Sequence, residues 1–128
     1  MTIYHKELAA GGWKKLTLME QLGNIGSEVH RAINWFKKDD KENFKFAFEK
    51  ALELFDLTLD DDRWKGRRKE IGRSREFFCS LFQEQPYIKH LPDDMEWLDK
   101  YFLHFAIRAR LEREKKIVSA AGLNSTKS

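Results

Sequence analysis

Between Thr17 and Phe36 the chain reads TLMEQLGNIGSEVHRAINWF. Its apolar residues fall at Leu18, Leu22, Ile25, Val29, Ala32 and Phe36, in steps that alternate four and three. That period fits a helix whose apolar seam packs lengthwise against other helices, and it fits no strand. The stretch opens with Thr17-x-x-Glu20, a capping box in which each side chain satisfies an amide of the first turn. Two glycines, Gly23 and Gly26, lie inside it, and each costs roughly 1 kcal/mol against alanine in a helix interior. The expected compensation is close approach of a neighbouring backbone. A polar line of Gln21, Asn24, Glu28 and Arg31 runs beside the seam.

Three further segments carry the same period. Lys37 and Lys38 close the first helix with cations, where the helix dipole favours them. Asp39-x-x-Glu42 then predicts the cap of a second helix, so the turn is short and the two helices are antiparallel neighbours. Phe44, Phe48, Ala51, Phe55 and Thr58 form its seam, and Phe46, Leu52, Leu54 and Leu57 widen the apolar face. Asp60, Asp61 and Asp62 break the pattern ahead of a third helix, expected over about residues 63–82. Its seam is Trp64, Arg68, Ile71, Arg75, Phe78 and Phe82, so arginine takes two core-facing positions. The loop around Pro86 and Pro92 leads to Asp93-x-x-Glu96, a third capping pattern, and to a fourth helix with Leu98, Phe102, Phe105 and Ala109 on one seam. Trp97, Tyr101 and His104 lie to one side of that seam.

Four amphipathic helices with mostly short connections predict an all-α fold, an antiparallel up-down-up-down four-helix bundle. The alternative is a three-helix core that exchanges its first or last helix into a dimer. At 128 residues there is room for one core. The division expected is a flexible leader at 1–12, a single helical-bundle domain at 13–116 and a flexible tail at 117–128. The opening residues lack a continuous apolar run, so no signal peptide is expected. No window has the length of apolar sequence that a membrane span needs. One cysteine, Cys79, provides neither a disulfide nor a CxxC site, and this suits a cytoplasmic setting.

The charges are more informative in their placement than in their sum, a net +3. Seven cations lie between Arg63 and Arg75, opposed only by Glu70. Helical spacing sets Arg63, Arg67 and Lys69 away from the seam, a stripe that could contact phosphates. The plainer reading is a solvated helix face balanced by the aspartates, since no aromatics interleave on its exposed side. Arg68 and Arg75 on the seam need carboxylates, and Glu28 and Asp56 are the available ones. Gln21, Asn24, Glu28, Arg31, Asp56, Arg68 and Arg75 would then form either a buried ion-pair network or a pocket for a small anion or acidic peptide. No histidine stands three residues after a glutamate, and no HExxH occurs, so neither a metal site nor a cofactor is expected. Gly23-x-x-Gly26-Ser27 lacks the lysine and preceding strand of a phosphate loop. No catalytic residues emerge.

The blocks EQLGNIGSEV and DRWKGR, with LDKYFLHFAIRARLE later, carry a resemblance over roughly residues 13 to 113. On these residues the chain resembles a group of short uncharacterised prokaryotic helical proteins. The resemblance implies a helical fold and no activity or site residues. The functional expectation is a non-enzymatic cytoplasmic bundle that binds a macromolecular partner, protein or RNA, alone or as a homodimer. The alternative is a small-ligand or enzymatic site built on the polar line of the first helix and the seam arginines of the third.

Overall fold

The computed structural model describes residues 4–6, 8–82 and 91–120. Among these the fold is all-α, without a strand. Four α-helices follow one another: α1 (Leu18–Lys37), α2 (Lys41–Leu59), α3 (Arg68–Ser80) and α4 (Leu91–Ala120). A π-helical turn (Leu8–Gly12) and a 3-10 turn (Trp13–Lys15) precede α1, and a 3-10 segment (Asp62–Arg67) precedes α3.

The start of α1 matches its sequence signal. Thr17 Oγ1 accepts from the Glu20 amide, and Glu20 Oε1 accepts from the Thr17 amide. At the other end the chain reverses in three residues. Asp39 takes a left-handed backbone, φ 57°. The Asp39 amide donates to the Phe36 carbonyl and the Asp40 amide to the Trp35 carbonyl. These two bonds make a Schellman ending with aspartate where glycine is usual. Asp40, rather than the expected Asp39, therefore caps α2, accepting from the Asn43 amide at 3.1 Å.

Pairwise contacts fix the directions. Trp13, ahead of α1, meets Thr58 near the end of α2, and Phe36 meets Phe44 at the opposite end. Along α1 and α4, Gly23 faces Ala106, Gly26 faces Phe102 and His30 meets Asp99. Phe48 stacks on Phe78 and Asp56 pairs with Arg75 between α2 and α3. The core is built from these seams, with Ile25, Val29, Phe55, Phe78, Leu98 and Phe102 fully buried. Phenylalanines run through it: Phe44, Phe48, Phe78 and Phe82 pack at one end, and Phe55 meets both Phe78 and Phe102.

Several sequence expectations need correction. α3 does not begin at Arg63: Trp64 is non-helical (φ −109°, ψ 27°), and the regular helix starts at Arg68. Asp93 is no cap, because α4 begins at Leu91 and holds Asp93 and Asp94 in its first turn. α4 also runs to Ala120, so the first four tail positions belong to the helix. The leader is tied to α2 where it is described. The amides of Tyr4 and His5 both donate to the Glu53 carboxylate. Residues 121–128 and most of the proline-bracketed loop lie outside the described residues.

The two glycines of α1 have the expected physical reason. A Cβ on Gly26 would lie 2.5 Å from Phe102 Cβ, and one on Gly23 would lie 3.0 Å from Ala106 Cα. Gly72 in α3 faces open space. Gly26→Ala should therefore destabilise the protein by about 2 kcal/mol through overpacking, despite alanine's higher helix propensity. Gly72→Ala should stabilise it by about 0.5–1 kcal/mol. Denaturant titration of the two variants checks both signs.

Candidate functional site

The seven residues expected to share a network or pocket do not come together in one. Gln21 is fully buried where α1 meets the α2–α3 connection. Its Nε2 donates to the Trp13 carbonyl and to Asp61 Oδ2, and its Oε1 accepts from Trp64 Nε1 at 2.8 Å. Asn24 is exposed, donating to the Glu20 carbonyl of its own helix. Glu28 pairs with Arg31, also of its own helix, at 2.8 Å, and its Oε2 is buried without a hydrogen-bond partner. Arg68 donates to the Leu59 carbonyl and reaches Asp62 at 3.2 Å. Arg75 meets Asp56 at 3.0 Å, with the Asp56 side chain largely exposed.

The seam arginines thus turn to the flanks of α3. Arg68 opens the helix and reaches back across the connection, where carbonyl and carboxylate both lie within range. A guanidinium keeps its charge, so it takes the wet flank when the stem is long enough to reach it. Glu28 meets neither of them.

Of the three stripe cations, Arg63 is committed elsewhere. Its Nη2 donates to Asp61 Oδ2 at 2.7 Å and to the Leu16 carbonyl at 2.8 Å, and its guanidinium lies 4.5 Å from the Trp64 ring. Asp61 is buried, an anion that the sequence reading passed over within the run of aspartates. Hydrogen bonds from Arg63 first, and then from Gln21 and the Arg63 amide, hold its carboxyl down to about 2, against the effect of burial. Trp13 completes this cluster by donating from Nε1 to Thr58 Oγ1 at 2.8 Å. Arg67 is bonded to Glu70 at 2.9 Å. Lys69 is exposed and, among the described residues, has no ion pair.

Lys69 stands instead on the rim of a cleft of about 710 Å³ between α3 and α4. Lys69, Glu70, Arg73, Ser74 and Phe77 form one wall; Asp94, Trp97 and Tyr101 form the other. Trp97 is 56% exposed. Its indole stacks on Tyr101, with centroids 5.4 Å apart and planes 13° apart, and Phe77 packs against it edge-on. Tyr101 is fixed from behind by Phe102 and Phe105, and its hydroxyl donates to Glu70 at 3.0 Å. Burial and that bond to a carboxylate push the hydroxyl's pKa up, so it stays protonated. Arg67 draws Glu70 below the usual carboxylate range, which keeps it an acceptor. Arg73, like Lys69, has no ion pair among the described residues. Aromatics therefore do stand beside the basic stripe; they come from the next helix, which spacing within α3 could not reveal.

A second groove, about 420 Å³, runs between α1 and α4 over Gly23, Gly26 and Phe102. His30 Nδ1 lies 2.8 Å from Asp99 Oδ2 on its rim, with Asn34 Nδ2 on the other ring nitrogen at 3.1 Å. Cys79 is half-buried, and burial raises its thiol pKa, so it is a poor nucleophile. Among the described residues, no group of three His, Cys, Asp or Glu could hold a metal, and no helix is long and apolar enough to cross a membrane. No family model matches the chain, and no curated protein or solved structure matches it.

The Asp61 cluster predicts an acid response. A carboxyl lowered in the folded state stabilises above its ordinary value, 3.8, and loses that contribution as pH falls through about 2. Asp61→Asn should cost about 2 kcal/mol near neutral pH, because it replaces the charge-assisted bonds that a buried carboxylate accepts from Arg63 with those of a neutral amide. Melting curves between pH 5 and pH 2 should fall less steeply for the variant than for the wild type.

Proposed function

We propose that this chain is a non-enzymatic, up-down-up-down four-helix-bundle protein that binds RNA through the α3–α4 cleft. One observation carries the reading: the exposed Trp97 platform stands across the cleft from two cations, Lys69 and Arg73, that have no ion pair among the described residues. A protein-binding patch built on an exposed tryptophan would more often carry apolar neighbours. Here the wall opposite Trp97 carries Lys69 and Arg73, while its one carboxylate, Glu70, is held by Arg67 and Tyr101, and phosphate is the partner that matches the two cations. Contacts that run from α4 to α1, from α1 to α2 and from α2 to α3 support the bundle. A cytoplasmic setting fits a single unpaired, half-buried cysteine. A homodimer would use the exposed Leu103, Ile107 and Leu111 of α4. Of the residues of the competing ligand-pocket reading, only Arg31 lines either of the two grooves, on the α1–α4 side, so that reading has less support.

If the reading holds, RNA affinity should fall steeply with salt, with a log–log slope of about −0.7 to −0.9 per phosphate contacted. The double change Lys69→Gln and Arg73→Gln should weaken binding across sequences and flatten the slope by about two contacts. Arg63→Gln should leave the slope unchanged, because that guanidinium already serves Asp61. Fluorescence anisotropy over a salt series measures all three. Absence of binding at low salt would defeat the RNA reading and leave a protein as the partner.

A further inference from the structure

We infer that the ligand of this surface is an unpaired nucleic-acid strand, which stacks a base on Trp97 and then runs along one exposed face of α4 towards Lys115. The inference rests on the RNA reading above and specifies it. An isolated aromatic platform serves only a base whose face is free, and in a duplex both faces of each base are covered by its neighbours. Trp97 is such a platform: Tyr101 backs it, Phe77 braces its edge, and more than half of its surface stays open.

From Trp97 the same face of α4 continues in helical steps. Tyr101, His104 and Arg108 follow at intervals of four, three and four, and Lys115 comes two turns later. His104, Arg108 and Lys115 are all exposed, and among the described residues neither Arg108 nor Lys115 has an ion pair. Glu112 edges this face, yet it does not approach Arg108 within ion-pair distance. At 1.5 Å per residue the line from Trp97 to Lys115 spans about 27 Å. That accommodates about five nucleotides, at the low end of site sizes for small single-strand-binding domains. The helix itself supports the reading: residues 110–120 are exposed throughout, beyond the last buried residue, Ala109. A free-standing helix with unneutralised cations in line with an aromatic stack has the composition of a strand track, with phosphates over the cations and a base at its head.

The test uses the full chain with fluorescein-labelled oligouridine of four, eight and twelve nucleotides, the matching oligothymidine series and a blunt hairpin duplex. The expected result is tighter binding of the eight-mer than the four-mer, little further gain at twelve, and weaker binding of the duplex. Trp97→Leu should lower eight-mer affinity roughly ten-fold or more without moving the melting temperature. The double change Arg108→Gln and Lys115→Gln should reduce the salt slope for the eight-mer by about 1.4 and affect the four-mer less. Preference for the ribose strand identifies RNA as the source; parity admits single-stranded DNA as well, and either result supports the track. Equal or tighter duplex binding overturns the inference and leaves nucleic-acid binding standing. So does an eight-mer indifferent to both variants while the melting temperature is native. No binding of any probe at low salt removes the RNA reading itself.

Discussion

The packing of α1 against α4 at Gly26 and Phe102 determines how the rest of the molecule is presented. A Cβ at position 26 has no room, so α4 lies closer to α1 than ordinary side chains would permit. That contact sets the rotation of α4 about its own axis. With Phe102 turned to the core, Leu98 and Ala109 follow it inward, and Tyr101 and Trp97 are carried round to the side of α3. The glycines cost helix propensity locally, and the close fit they allow sets which face of α4 meets solvent. The pairing of His30 with Asp99 lies one turn along the same junction and resists sliding between the two helices.

The other fixed point is the Asp61 cluster. Gln21 brings together three separate parts of the chain: Trp13 ahead of α1, Asp61 after α2 and Trp64 ahead of α3. Each of its side-chain polar atoms has a partner, and Gln21, Trp13 and Asp61 are buried, so the bonds among them act in a medium that strengthens them. It also shapes the charge pattern. By drawing Arg63 onto Asp61 and pinning Trp64 in a non-helical turn, it delays the start of α3 to Arg68. Lys69 and Arg73, in the first and second turns of α3, have no ion pair among the described residues and line the cleft to α4.

The all-α class, the four helical segments and most seam residues were legible in the sequence, because a four-three period over twenty residues specifies a buried helical face. So was the reason for Gly23 and Gly26. The misreadings share a cause: each turned on a side-chain or backbone partner that helical spacing does not encode. Arg68 and Arg75 occupy core-phase positions, but their stems are long enough to reach carbonyls and carboxylates at the rim. Asp39 has the spacing of a cap but serves as the left-handed residue that ends α1, and the capping role passes to Asp40. Asp61 looked like one of three interchangeable aspartates. Only its position beneath Gln21 and Arg63 distinguishes it from exposed Asp60 and Asp62. The aromatic side of the cleft was visible as residues lying beside the α4 seam, and its juxtaposition with the stripe required the fold.

The geometry of α3 explains why that cleft stays open. At 13 residues it is about 20 Å long, against about 45 Å for the 30-residue α4. It buries only Ile71 and Phe78 along its length, and Phe78 packs on Phe48 and Phe55 of α2. Too little apolar side chain remains on α3 to close the gap to α4: Phe77 of α3 packs edge-on against Trp97 of α4, and Lys69 and Arg73 border the space beside them. A stability-driven design would fill such a seam with aliphatic residues and leave the cations at the rim to solvent. This chain instead maintains an exposed indole, stacked and braced so that it loses little entropy on engaging a flat ligand. Rigid aromatic surface beside cations with no ion pair among the described residues is costly as scaffold, and that combination is why we propose the α3–α4 side as the binding face.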